Sequence, residues 1–276
     1  MSQADRRLKE NLREILDKGY WDTDYPVRPK WPDGTAAHTI KVFGLVNRYD
    51  LQEEFPIITL RKTNYKNCLD ELLWIWQKKS NKISELNSHI WDAWADDEGT
   101  IGKAYGYQLG IPHQYKEGEF DQVDRVLYDL KHNPYSRRIL TNIYNHQDLH
   151  EMALYPCAYS MTFNVTGNRL NAILNQRSQD MITANNWNVV QYALLTHMFA
   201  QVSGLEVGEF VHVIADAHIY DRHVELAEHL LEQEAFEAPT LKINPDIDNF
   251  YDFTVDDIEL ENYQYHAFPY RIPVAE

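Results

Sequence analysis

Apolar and polar positions along the chain alternate with two different periods. The opening MSQADRRLKENLREIL has mixed charge on a helical pattern. HTIKVFGLVNRYDL, residues 38 to 51, is rich in β-formers at Ile40, Val42, Phe43, Leu45 and Val46 and predicts a strand; the turn-prone QEEFP and a second short strand, IITL at 57 to 60, follow. In NCLDELLWIWQKKS, Leu69, Leu72, Leu73 and Trp76 recur at helical spacing, which predicts a helix with these on its core face and Glu71 beside it. SMTFNVTGNRLNAILNQRS alternates Met161, Phe163 and Val165, then Leu170, Ala172 and Leu174, around TGN: a β-hairpin. NNWNVVQYALLTHMFAQVSG is apolar around most of its circumference, opens with Asn as a cap and stops at Gly204, so it predicts a buried central helix. EFVHVIADAHIYDRH then reads as strand and VELAEHLLEQEAF as helix. Helices interleaved with hairpins predict an α+β fold on a mainly antiparallel or mixed sheet with packed helices.

Composition narrows this picture. The 276 residues include 11 Gly and 11 Pro spread without a linker, repeat or low-complexity block, so one domain spanning 1–276 is expected. No apolar run approaches the roughly 20 residues that cross a bilayer, and no secretory signal is visible, which predicts a soluble cytoplasmic protein with no membrane partner. Cys68 and Cys157 are the two cysteines; neither a disulfide nor a metal is expected, since no Cys/His spacing matches a zinc site. A net charge of −16 disfavours bulk nucleic-acid binding. The basic residues gather in short clusters, VRPK at 27–30, LRK at 60–62, SRR at 136–138 and QRS at 176–178. These are either solvated loops or the parts of one site for a small anion such as a phosphate.

Cys157 falls at the start of one hairpin strand and Arg177 at the end of its partner. The strands look too uneven for the two to pair directly, yet both belong to the same end of the sheet. A guanidinium beside a thiol lowers its pKa and makes a nucleophile; the alternative is a small buried apolar residue.

The run ALYPCAYSMTFNV, then LNAILNQRSQDM, then NNWNVVQYALLTHMFAQVSGLEVGEFVHVIADAHIYDRH resembles thymidylate synthase, the folate-dependent family that methylates dUMP. The resemblance extends over nearly the whole chain, through the region around Arg28, ELLWIW, HIWDAW at 89–94, GKAYG at 102–106, SRR and a final PVAE. It implies an enzyme in which Cys157 attacks carbon 6 of the pyrimidine. Charge developing toward the 4-carbonyl would be met by Asn188 and Glu71, and Tyr105 would assist proton removal from carbon 5. An Asn at 188 can donate to the 4-carbonyl and accept from the ring N–H, which suits uracil over cytosine. The same resemblance implies a homodimer whose phosphate site takes Arg28, Arg177 and Ser178 from one subunit and Arg137 and Arg138 from the other. His218 and Tyr220 would hold the 3′-hydroxyl. Asp180 would bind the pterin of 5,10-methylenetetrahydrofolate, the co-substrate, with Trp91, Trp94 and Trp187 as flat apolar surface and the closing tail, Ala275 included, above it.

Two departures stand out. ITANNWN, residues 182–188, replaces a Gly-containing loop ending in Pro-Phe-Asn, and Glu276 replaces a terminal aliphatic residue. A charged end would close less tightly over the folate and let water compete with hydride. The alternatives carried forward are a pyrimidine nucleotide hydroxymethylase of the same fold and a non-catalytic regulator binding nucleotide or RNA.

Overall fold

The protein is described by a computed structural model, of which residues 1–275 are described. Its elements in chain order are α1 (Gln3–Lys18), β1 (Tyr20–Trp21), β2 (Thr39–Asp50), α2 (Tyr65–Trp76), α3 (Gly106–Leu109), β3 (His113–Tyr115), β4 (Gly118–Phe120), α4 (Gln122–His132), β5 (Ile139–Asn142), β6 (Ala158–Thr166), β7 (Arg169–Asp180), α5 (Asn185–Val202), β8 (Glu206–Tyr220), α6 (Val224–Glu232), β9 (Thr240–Ile243) and β10 (Ile258–Glu261). Short 3₁₀ turns join several of them.

A six-stranded sheet, ordered β1-β2-β8-β7-β6-β5, carries the fold. All its pairings are antiparallel except β7 with β8. That parallel step needs a crossover, and α5 supplies it. The helix is apolar nearly all round, and it is buried nearly all round between the sheet and α2. The expected Asn cap is not found: Ala184 is the N-cap residue and makes no side-chain bond, because Asn185 to Asn188 already lie within the first turn. This leaves the Asn188 amide free for other partners.

Helix α1 begins where Ser2 accepts from the Asp5 N–H at 3.1 Å, and it buries Ala4, Leu8, Leu12 and Ile15, one stripe at spacings of three and four. The predicted strand at 57–60 does not form. Asp5, fully buried, takes the Thr59 N–H and hydroxyl, each at 2.7 Å, so this backbone is satisfied by a side chain instead of a ladder.

The β6–β7 hairpin turns at Gly167, whose φ of 64° suits glycine. Its register holds from Thr166↔Arg169 to Ser160↔Asn175 and then slips by one, so that Ala158 faces Gln176. The bulge absorbs the unevenness expected to keep Cys157 from Arg177: the Arg177 N–H donates to the Cys157 carbonyl at 3.0 Å, and the two residues are direct neighbours.

Helices α1, α5 and α6 pack against the sheet. On the sheet's other face the register aligns Leu140, Thr162, Ile173 and Val211 in one row across four strands, with Val46 and Val213 beside it. Leu140, Val46 and Ile173 are exposed.

Candidate active site

Cys157 sits at the mouth of the sheet, half-buried, immediately before β6. The Arg177 guanidinium is clipped over it. Its Nε donates to the Pro156 carbonyl at 3.0 Å, its Nη2 to the Tyr155 carbonyl at 2.6 Å, and the same Nη2 lies 3.6 Å from Sγ. Burial pushes the Cys157 thiol upward, while Arg177 and then Arg28 pull it down; burial prevails, so the thiol stands above its ordinary pKa. The expected lowering by a guanidinium is thus present, but it offsets a desolvation cost instead of bringing the thiol below its ordinary value.

Beneath Cys157 lies Tyr105, whose hydroxyl accepts the Cys157 N–H at 3.2 Å. GKAYG makes that position possible. Tyr105 has a φ of 44°, and a Cβ at Gly106 would come within 2.4 Å of the Ser80 carbonyl oxygen. The Tyr105 side chain is buried, and burial first, then the nearness of Cys157, raises its phenol well above the ordinary range. It is a neutral phenol.

Glu71 lies in mid-α2 and is only 5% exposed, not beside the core face but within it. Three N–H groups hold its carboxylate: Trp91 Nε1 donates to Oε1 at 2.6 Å, while Gln191 Nε2, at 2.6 Å, and Trp187 Nε1 donate to Oε2. Burial raises its pKa, and the donors from Trp187, Trp91 and Gln191 only partly offset this. Trp91 and Trp187 thus spend their polar edges on Glu71. Trp91 is moreover enclosed by Trp94 at 5.7 Å, Tyr105 at 5.3 Å and Trp74 at 6.3 Å, ring to ring, which leaves the half-buried Trp94 and Trp187 as the more open indoles.

Asn188 faces a ring of glutamines. Its Oδ1 accepts from Gln176 at 3.3 Å and Gln179 at 3.2 Å, and its Nδ2 donates to Gln191 Oε1 at 3.1 Å. Through Gln191, Asn188 is connected to Glu71. Sequence reading missed Gln191, although a signal existed: it lies three residues after Asn188 and four after Trp187, on one helix face.

The parallel β7–β8 step aligns a second group. Ser178 stands opposite Asp216 and Asp180 opposite His218. Asp216 Oδ1 lies 2.8 Å from His218 Nδ1, and Lys41 is 3.2 Å from its other oxygen. Burial pushes Asp216 up, but His218 and Lys41 hold it below the usual carboxylate range. Tyr220 packs edge-on against His218 at 5.3 Å, and burial raises its phenol to about 12. Of the 27–30 cluster, the Arg28 charge acts on both Tyr220 and Cys157.

Asp180 closes β7. It accepts from the Ile182 and Thr183 N–H groups at 2.8 and 3.1 Å and from the Thr183 hydroxyl at 2.5 Å. Burial works against its charge, but His223, His218 and Thr183 outweigh burial and hold the carboxyl at about 2. His223, fully buried, lies 3.7 Å from Asp180 Oδ2 and 2.8 Å from the Pro273 carbonyl, so it ties the tail to the site. Burial lowers its pKa, yet Asp180 and Pro273 prevail and raise it. Ala275 ends the described tail, half-buried; Glu276 lies outside the described residues.

Arg137 and Arg138 do not join this constellation within the chain. They are exposed and precede β5, where Ile139 pairs with Phe163, six residues along the hairpin from Cys157. At about 3.3 Å per residue that is on the order of 20 Å. Among the described residues no group of three or more His, Cys, Asp or Glu is arranged to hold a metal ion, and no helix is long and apolar enough to cross a membrane.

A family model described as thymidylate synthase matches residues 6–275. Thymidylate synthase 1 of Bacillus spizizenii is 45% identical over 270 residues, covering 96% of each chain. The thymidylate synthase of Bacillus phage phi3T is 46% identical with the same coverage. Among solved structures, a thermostable thymidylate synthase A from Bacillus subtilis superposes with a TM-score of 0.95 at 42% identity, covering 99% of both chains. With this geometry and these relatives, the chain belongs to the thymidylate synthase family, enzymes that methylate dUMP to dTMP.

Proposed function

We propose that this chain methylates dUMP through a covalent bond from Cys157 Sγ to carbon 6 of the uracil, with 5,10-methylenetetrahydrofolate as co-substrate. The observation that carries the reading is the meeting at one sheet end of a thiol, two guanidiniums and an Asn–Gln–Glu chain. As the S–C bond forms, the ring electrons move toward the 4-carbonyl oxygen. An N–H of Asn188 faces that oxygen, and Glu71 relays a proton to it through water. Arg177 and Arg28 oppose the cost of ionising a buried thiol. The phosphate is held by Arg28, Arg177 and Ser178, and the deoxyribose hydroxyl by His218 and Tyr220.

Carbon 5, now electron-rich, receives the one-carbon unit and loses its proton. Tyr105, a neutral phenol, cannot be the ultimate base; it passes the proton on by hydrogen bonding, held under Cys157 by the backbone N–H. The sulfur then leaves carbon 6. Methylenetetrahydrofolate, when bound, supplies both the one-carbon unit and the hydride, and departs as dihydrofolate. The residues suit such a ligand: Asp180 is an ionised acceptor for pterin N–H groups, Trp94 and Trp187 are half-buried apolar surface, and Asn186 carries a buried amide with neither atom partnered among the described residues. The His223–Pro273 bond keeps the tail, Ala275 included, near enough to cover that site and exclude water.

The chain acts as a homodimer, one catalytic domain of residues 1–276 per subunit, in the cytoplasm. The exposed Leu140, Ile173 and Val46 on one sheet face support a second copy there, and the remoteness of Arg137 and Arg138 from Cys157 supports their serving the partner's phosphate site. Incubation with dUMP and methylenetetrahydrofolate, followed by mass analysis of the nucleotide, tests the reading. dTMP, heavier than dUMP by one CH2, is expected as the main product; mainly 5-hydroxymethyl-dUMP, or unchanged dUMP, would overturn it.

A further inference from the structure

An amide reads a pyrimidine in one sense at a time. With Nδ2 toward position 4 and Oδ1 toward the ring N–H, Asn188 matches uracil. Turned by half a rotation, it accepts from a 4-amine, donates to N3 and matches cytosine. An isolated asparagine has no preference between the two, so the surrounding hydrogen bonds must choose.

One side of Asn188 cannot choose. Gln176 and Gln179 donate to its Oδ1 at 3.3 and 3.2 Å, and Gln176 in turn meets His212 Nε2. His212 is held neutral by burial, its pKa lowered to about 3, and its Nδ1 has no partner among the described residues. Its proton can sit on either nitrogen, so these glutamines and Asn188 could reverse together at little cost. Their long contacts also let one of them yield to a ring N–H.

The other side is fixed. Gln191, 3% exposed, donates Nε2 to the Cys68 carbonyl at 3.2 Å and to Glu71 at 2.6 Å. A backbone carbonyl only accepts, so the Gln191 amide cannot turn without setting oxygen against oxygen. Its Oε1 must face Asn188, and only Nδ2 can answer it, at 3.1 Å.

We propose that Gln191 is a positioning residue for base choice: anchored by the Cys68 carbonyl and Glu71, it locks the Asn188 amide in the sense that matches uracil and rejects cytosine. This rests on the assignment of Asn188 as the group that reads the base. Gln191 touches no substrate and acts through Asn188.

The test uses the full-length enzyme and reads the ratio of dCMP to dUMP dissociation constants. Gln191→Met keeps the volume and removes the amide; Gln191→Ser, too short to span the gap, is carried in parallel in case the thioether variant folds poorly. Both should narrow the ratio by about tenfold or more, chiefly through tighter dCMP binding. Gln191→Glu must take up a proton to lie against Glu71 and the Cys68 carbonyl; it then donates on that side and presents its other oxygen to Asn188, so it should keep the parental ratio even where methylation slows. A purely structural role would weaken both nucleotides in proportion and leave every ratio unchanged; that outcome, or equal narrowing by Glu and Met, overturns the inference. Asn188→Asp separates the two levels. If it narrows the ratio while Gln191→Met and Gln191→Ser do not, the Gln191 inference fails alone; if it leaves the ratio unchanged, the assignment of Asn188 fails and takes the inference with it.

Discussion

Replacing Trp187 by Phe removes one of the three N–H donors on Glu71 and leaves the aromatic body in place. In this protein burial raises the Glu71 pKa and the donors oppose it. Deleting a donor to the ionised form must therefore raise the pKa further. A hydrogen bond to a charged group is worth about 1.5 to 3 kcal/mol, and each 1.4 kcal/mol is tenfold, so the ratio of neutral to ionised Glu71 should rise about ten- to a hundredfold at any fixed pH. The sign carries over to stability. A carboxyl with a raised folded pKa contributes stability that is full below its unfolded pKa and is lost as pH rises through the folded one. Trp187→Phe extends that loss to higher pH. Two measurements are needed: carbon NMR of labelled glutamate, following the Glu71 resonance with pH, and denaturant unfolding across the same range. The reasoning is refuted if the Glu71 titration stays in place or moves to lower pH.

Two further outcomes follow from the structure. Arg138→Ala and Cys157→Ala should each abolish dTMP formation, and mixing the two should restore about a quarter of wild-type activity, since random pairing gives half heterodimers with one intact site each; mixed dimers that form but stay inactive would contradict the shared site. Asp5→Ala should cost about 3 kcal/mol in urea unfolding, because it strips the buried Thr59 N–H and hydroxyl of their acceptor, and a loss under about 0.5 kcal/mol would contradict that account.

Much of the architecture was legible because periodicity reports burial directly. The 160–178 alternation marked the hairpin, and the 185–204 run, with apolar residues around most of its circumference, marked a buried helix, as α5 is. What stayed hidden depended on long-range satisfaction of polar groups. IITL has strand composition, but Asp5 of α1 took its backbone donor at Thr59. Cys157 and Arg177 looked out of register because a bulge leaves little trace in composition. The site residues marked by resemblance, Cys157, Glu71, Asn188 and Asp180, were visible as motifs. Their environments were not: that Trp91 and Trp187 bond Glu71, or that His223 links Asp180 to Pro273, depends on chain segments brought together from 20 to 116 residues apart.

Covalent attack by Cys157 on carbon 6 is the step on which every later one depends. Incubation with 5-fluoro-dUMP and methylenetetrahydrofolate tests it directly, because fluorine at carbon 5 cannot leave as a proton does and the adduct should accumulate. Mass analysis of peptides is predicted to find nucleotide and folate on the peptide carrying Cys157, and none after Cys157→Ala. An adduct on Cys68, or a Cys157→Ala enzyme that still makes dTMP, would contradict the account.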